Sequence, residues 1–127
     1  MYIEYNPNPV GNLTDDCTTR ALTAALDVEW ETAFFLQAIN AAQMGLIDLD
    51  INAVWWSVLR QHGFSRRSVP DSCPECYTVA DFCADHPQGV YVIGTDEHVV
   101  CAVNGDWYDS SDSGQEIVLY YWFRRDK

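Results

Sequence analysis

Cys17, His98 and Asp109 lie far apart in the 127-residue chain, yet they have the types needed for nucleophilic catalysis by a thiol. Such a site needs a sulfur that can ionise, a base to take its proton and a group to orient the base. Cys17 lies in "DDCTTRALTAAL", behind two acids and in the predicted first turn of a helix. The helix dipole there favours a thiolate, whereas the like charge of Asp15 and Asp16 opposes one. Free cysteine is also among the most buried residue types, so Cys17 alone decides nothing. Two of the histidines have plain structural settings: His62 ends a helix before Gly63, and His86 falls in the last turn of another. His98 differs. It opens a strand directly after the loop "GTDE", and a strand end beside a cleft suits the base of a Cys–His site.

The segment "CAVNGDWY" supplies the third member. Asn-Gly between strand-like runs predicts a hairpin with a two-residue turn. Val103 then faces Asp106, Ala102 faces Trp107, Val100 faces Asp109 and His98 faces Ser111. Side chains alternate, so His98 shares a face with Asp109. The diagonal is roughly 7 Å between backbones, which an imidazole and a carboxylate can bridge. Asp112 falls on the opposite face and becomes the orienter only if a bulge follows Asp109. An oxyanion would meet the backbone N–H of Cys17 at the helix start. Asn12 is the first candidate for a second donor, with Asn8 and Asn6 as alternatives.

The elements that must position these groups follow from the same sequence. After the turn-rich "YNPNPVGN", Thr14, Asp15 and Asp16 are competent caps for a helix whose apolar residues recur at 17, 21, 24 and 25. A second helix starts near Glu29 and ends before Gly45, with Trp30, Ala33, Phe34 and Ala41 towards the core. A third runs from about Ile51 to His62, stopped by Gly63. A short fourth is capped by Thr78 with Asp81 at its third position, and Pro87 and Gly89 end it. "FSRRSV", "VYVIGT", "HVVCAV", "DWYDS" and "EIVLYYWF" read as strands. Arg66 and Arg67 would blunt an edge strand, and the terminal "RRDK" reads as a solvated tail. The expected architecture is one α+β domain over residues 1–127, with a helical layer on a mainly antiparallel sheet of four or five strands.

A competing cysteine pattern is "CPECYTVADFCADH", with Cys73, Cys76, Cys83 and His86 as potential zinc ligands. Cys83 and His86 are three apart on a helix and share a side. The bland alternative ties the Cys73–Cys76 loop to the core and buries Cys83. Cys101, inside a strand, reads as packing. Five cysteines do not fit a closed disulfide framework, and "MYIEYNPNPV" lacks the basic and apolar runs of a signal peptide. A reducing cytoplasm is the expected setting. Nineteen Asp and Glu against seven Lys and Arg give a formal charge of −12. That charge argues against nucleic acid or an anionic membrane as partner and allows a basic one.

A thiol on a helix, then His opening a strand, then Asp on the next strand is also a family's order. Together "DCTTRALTAAL", "PDSCPECYTVADFCADHPQGVYVIG" and "HVVCAVNGDWYDSSDSGQEIVLYYWF" resemble small papain-like (C39-peptidase-like) cysteine peptidases of gut bacteria and their phages. The resemblance covers most of the chain from Asn6 onward. It implies a papain-like fold and cleavage of a peptide or isopeptide bond, with Cys17 as nucleophile, His98 as base and Asp109 in the third position. No cofactor is expected, apart from the structural zinc that Cys73, Cys76, Cys83 and His86 would hold. A phage-encoded chain would work in the host cytoplasm. The chain lacks the family's Gln upstream of the cysteine, which leaves the oxyanion donor to residues such as Asn12. The competing function is a phage protein that uses the same fold, without catalysis, to bind or inhibit a basic partner. That alternative expects Cys17 and His98 to be separated, or the cleft to be filled by a Tyr or Trp.

Overall fold

A computed structural model describes residues 1–124, so the end of the "RRDK" tail lies outside the described residues. Four helices are described: α1 (Cys17–Leu26), α2 (Trp30–Gln43), α3 (Asn52–Gln61) and α4 (Val79–Asp85). The strands are β1 (Tyr2–Glu4), β2 (Phe64–Ser68), β3 (Val90–Gly94), β4 (Val99–Val103), β5 (Asp106–Asp109) and β6 (Tyr120–Arg124). They form one sheet in the order β1-β5-β4-β3-β6-β2. The architecture is α+β with a mixed sheet.

The sheet has six described strands, where four or five were expected. The addition is β1, which pairs parallel with β5 through Tyr2 opposite Trp107 and Glu4 opposite Asp109. Three residues carry too little alternation to be read as a strand. All the other described pairings are antiparallel. Between β4 and β5, Val103 lies opposite Asp106 and Ala102 opposite Trp107, the register that the Asn-Gly turn dictates. Asn104 and Gly105 both take positive φ, 51° and 84°, as such a turn requires.

Strand alternation divides the core in two. On one face Val92, Cys101 and Trp122 pack with Leu22, Trp55 and Leu59 of α1 and α3. On the other, Ile93, Val100 and Ala102 pack with Val79 and Phe82 of α4. The start of α4 carries the expected reciprocal cap: Asp81 N–H donates to Thr78 Oγ1 at 3.2 Å, and Thr78 N–H donates to Asp81 Oδ2 at 3.1 Å.

Helix α2 departs from its expected orientation. Its buried side chains are Ala33, Gln37, Asn40 and Ala41, while Phe34 is exposed and Trp30 half-buried. The reason lies in α1, whose buried face includes Thr18, Thr19 and Thr23. That face offers hydroxyls, and Gln37 meets them by accepting from Thr19 Oγ1 at 2.7 Å and donating to Thr18 Oγ1 at 3.2 Å. Small residues and an amide fit this contact better than rings do. Trp30 instead donates to Asp16, and Phe34 stacks on Trp30 with ring centroids 5.4 Å apart.

Candidate active site

Cys17 is the first residue of α1. The first N–H groups of a helix have no intrahelical acceptor. Asp16 occupies the cap position, but its side chain makes no capping bond to them. Its carboxylate points sideways, accepting from Arg20 Nη1 at 2.5 Å and from Trp30 Nε1 at 2.8 Å. One of the two acids expected to oppose a thiolate is thus bound to a cation. The other, Asp15, is exposed at the cleft.

His98 sits just before β4, held by the tight β3–β4 loop in which Thr95 N–H donates to the His98 carbonyl at 2.9 Å. Its Nε2 lies 2.6 Å from Asp109 Oδ2. Cys17 lies beside the ring, close enough to help it hold its proton. With Nε2 engaged by Asp109, Nδ1 is the nitrogen left for the sulfur. The hydrogen bond to Asp109 first, and then the neighbouring Cys17, push His98 up to about 10, against the opposing effect of burial. At neutral pH it therefore carries its proton.

Asp109 ends β5 and has no exposed surface. Burial alone would push its carboxyl up. The hydrogen bonds from His98 and Ser113, with the charges of His98 and Arg20, outweigh that and hold it below its ordinary value. Ser113 Oγ donates to Oδ2 at 2.7 Å, while Arg20 Nη2 and Ser110 N–H donate to Oδ1 at 3.0 and 2.7 Å. No rotation of this carboxylate keeps all four bonds, so the orientation of the imidazole is fixed. Asp112 is committed elsewhere: its Oδ1 accepts from Trp107 Nε1 and from Gly114 N–H, each at 2.9 Å.

Cys17 and His98 open on a cleft of about 330 Å³. Its lining includes four carboxylates, Asp15, Asp50, Asp96 and Glu97, and no Lys or Arg. Asn12 does not line it. The upstream asparagines hold their own turn: Asn8 Oδ1 accepts from Val10 N–H at 3.0 Å and from Asn12 N–H at 3.3 Å, and Asn6 Nδ2 donates to the Gly11 carbonyl at 3.4 Å. The amide that does line the cleft is Asn52, at the start of α3. No local pattern marks it, because its position depends on how α3 docks against α1. Arg20 was also passed over, although an arginine four residues after Asp16 in an otherwise small and apolar helix is a legible signal.

The four proposed zinc ligands do not converge. Cys73 and Cys76 are joined in a disulfide. Cys83 is on the buried face of α4, and burial pushes its thiol up to about 11. His86 Nδ1 donates to the Phe82 carbonyl at 2.8 Å, and its ring stacks on Phe82 at 3.9 Å. Among the described residues no group of three or more His, Cys, Asp or Glu is placed to hold a metal ion. Cys101 is wholly buried in β4, and burial raises its thiol as well. His62 Nδ1 bonds to the Val58 carbonyl at 2.8 Å, as expected of a helix-end histidine. Among the described residues no helix is long and apolar enough to cross a membrane. Comparison with protein-family models, curated proteins and solved structures returns no match to the chain.

Proposed function

We propose that the chain is a papain-like cysteine hydrolase that cleaves a peptide or isopeptide bond, with Cys17, His98 and Asp109 as its triad. The observation that carries this reading is that buried Asp109 bonds His98 at 2.6 Å, and that His98 and Cys17 line the same open cleft. Cys17 is also the one thiol that is both free and partly exposed. The inactive binding protein expects a separated pair or a cleft filled by a Tyr or Trp; Trp55 and Tyr120 are in the lining, beside an opening of about 330 Å³.

In this mechanism the Cys17 thiolate attacks the carbonyl carbon, and the carbonyl π electrons move onto oxygen. The first-turn N–H groups of α1, that of Cys17 first, stabilise the oxyanion. Asn52 takes over the second-donor role from Asn12. Collapse breaks the C–N bond as the His98 imidazolium gives its proton to the departing amine. Neutral His98 then takes a proton from water. The hydroxide attacks the thioester, releasing the acid and restoring the thiolate beside an imidazolium. Asp109 keeps the ring in place throughout. The substrate is a basic peptide or protein, because the carboxylates around the cleft favour cations and repel acids. A cytoplasmic setting is part of the proposal; it would keep Cys17 reduced and would also open the Cys73–Cys76 disulfide.

The test is alkylation by iodoacetamide with the modified cysteine located by mass spectrometry. Exposure alone would favour Cys17 over Cys83 and Cys101, so the informative control is His98→Gln. At pH 6 Cys17 should label at least about tenfold faster in the unmodified protein than in the variant, within the range of a general-base contribution. Equal rates in the two folded proteins would reject the catalytic pair.

A further inference from the structure

We propose that Asp16 and Arg20 are positioning residues that set the charge of the catalytic pair. The quartet of buried Asp16, Arg20 and Asp109 with half-buried His98 is electrically balanced only when His98 holds its proton. This rests on the hydrolase reading, but its test does not depend on Cys17 reacting.

Asp16, Arg20 and Asp109 are 7, 5 and 0% exposed. Arg20 bridges the two carboxylates, at 2.5 Å to Asp16 Oδ1 and 3.0 Å to Asp109 Oδ1. His98 meets the other oxygen of Asp109 at 2.6 Å. Two anions and one fixed cation leave one negative charge away from water. Unbalanced buried charge is costly, and the imidazolium is the group placed to neutralise it. Had Arg20 served Asp109 alone, that pair would already be neutral and His98 would feel a weaker pull. Asp16 therefore acts at a distance: by taking half of Arg20, it leaves Asp109 electrostatically available to His98.

The other charged groups facing His98 are more exposed. They are Asp96 and Glu97 on its own loop, Asp15 and Asp50 in the same cleft, and Asp112 and Glu116 in the segment that follows β5. All are acids and favour the proton, but water screens them more than it screens the quartet. Cys17 shares the ring and favours its charged form.

The experiment is an NMR titration of the His98 ring in three forms of the full chain, each checked for folding by circular dichroism. In the unmodified protein the ring should stay protonated through pH 8, and a midpoint near the ordinary 6.5 would overturn the proposal. Asp16→Asn removes one charge at nearly constant shape. It should lower the midpoint by about one pH unit, a tenfold loss of proton affinity. The double variant Asp16→Asn with Arg20→Met removes both charges, restores the balance, and should return the midpoint towards its original value. A purely structural role predicts the reverse order, with the double variant displaced further. That outcome, or an unmoved midpoint in Asp16→Asn, would overturn the proposal. A lowered midpoint in Asp16→Asn with an unreactive Cys17 would keep this inference and reject the hydrolase.

Discussion

His98 and Asp109 exchange stability with protons in opposite directions. The His98 proton is held up to about pH 10, against an ordinary 6.5. Its contribution to folding is therefore complete below about pH 6.5 and is lost as pH rises through the folded value. Asp109 is held below its ordinary 3.8, so its contribution is present above that value and fades as pH falls further. The urea midpoint of the unmodified protein should decline between pH 7 and 10, and His98→Gln should lack that part of the decline. Parallel curves for the two proteins would contradict the ion pair. At this scale the sequence was partly legible. Asp109 could be brought near His98 because Asn104-Gly105 fixes the hairpin register, which runs as expected to Cys101 opposite Tyr108, one residue short of Asp109. Asn52 and Asp50 could not, since no short-range rule says which loop or helix start will reach Cys17. Asp50 is brought there by a buried chain in which Thr18 Oγ1 donates to Asp50 Oδ1 at 2.5 Å and Gln37 Nε2 donates to the Leu49 carbonyl at 3.0 Å.

The elements matter through the ends they bring together. Helix α1 begins at Cys17, β4 begins one residue after His98, and β5 ends at Asp109. Strand β3 contributes differently. Its last residue, Gly94, pairs with Tyr120 of β6, whose ring lies over it beside the cleft. An added Cβ at Gly94 would collide with that ring, which also packs edge-on against Trp56 with centroids 5.4 Å apart. Gly94→Ala should therefore cost about 1–3 kcal/mol of stability in urea denaturation. As a contrast, Ile39→Ser on the outer side of α2, where the side chain is 54% exposed, should stay within about 0.5 kcal/mol. A neutral Gly94→Ala would show that Tyr120 is not held as described. Helix existence could be read from spacing and caps, and α4 shows this most fully. The burial of α2 could not, because an inner face of Gln37 and Asn40 makes sense only beside the threonines of α1.

For the whole molecule the formal charge of −12 is less informative than where the charges lie. Arg20 is buried in the quartet, and Arg60, Arg66, Arg67 and Arg124 lie over aromatic rings of α3, β2 and β6. The cleft beside Cys17 is left with carboxylates. On the proposed hydrolase reading, a substrate bearing ammonium or guanidinium groups should be drawn to it, and added salt should weaken that preference. The central claim, covalent catalysis by Cys17 on a cationic substrate, is tested most directly by p-nitrophenyl esters of Nα-blocked lysine and Nα-blocked glutamate. The expected result is a stoichiometric burst of nitrophenol and an acyl adduct on Cys17, faster with the lysine ester at low salt and absent in Cys17→Ser. A folded protein that gives no Cys17 adduct with either ester would contradict the account.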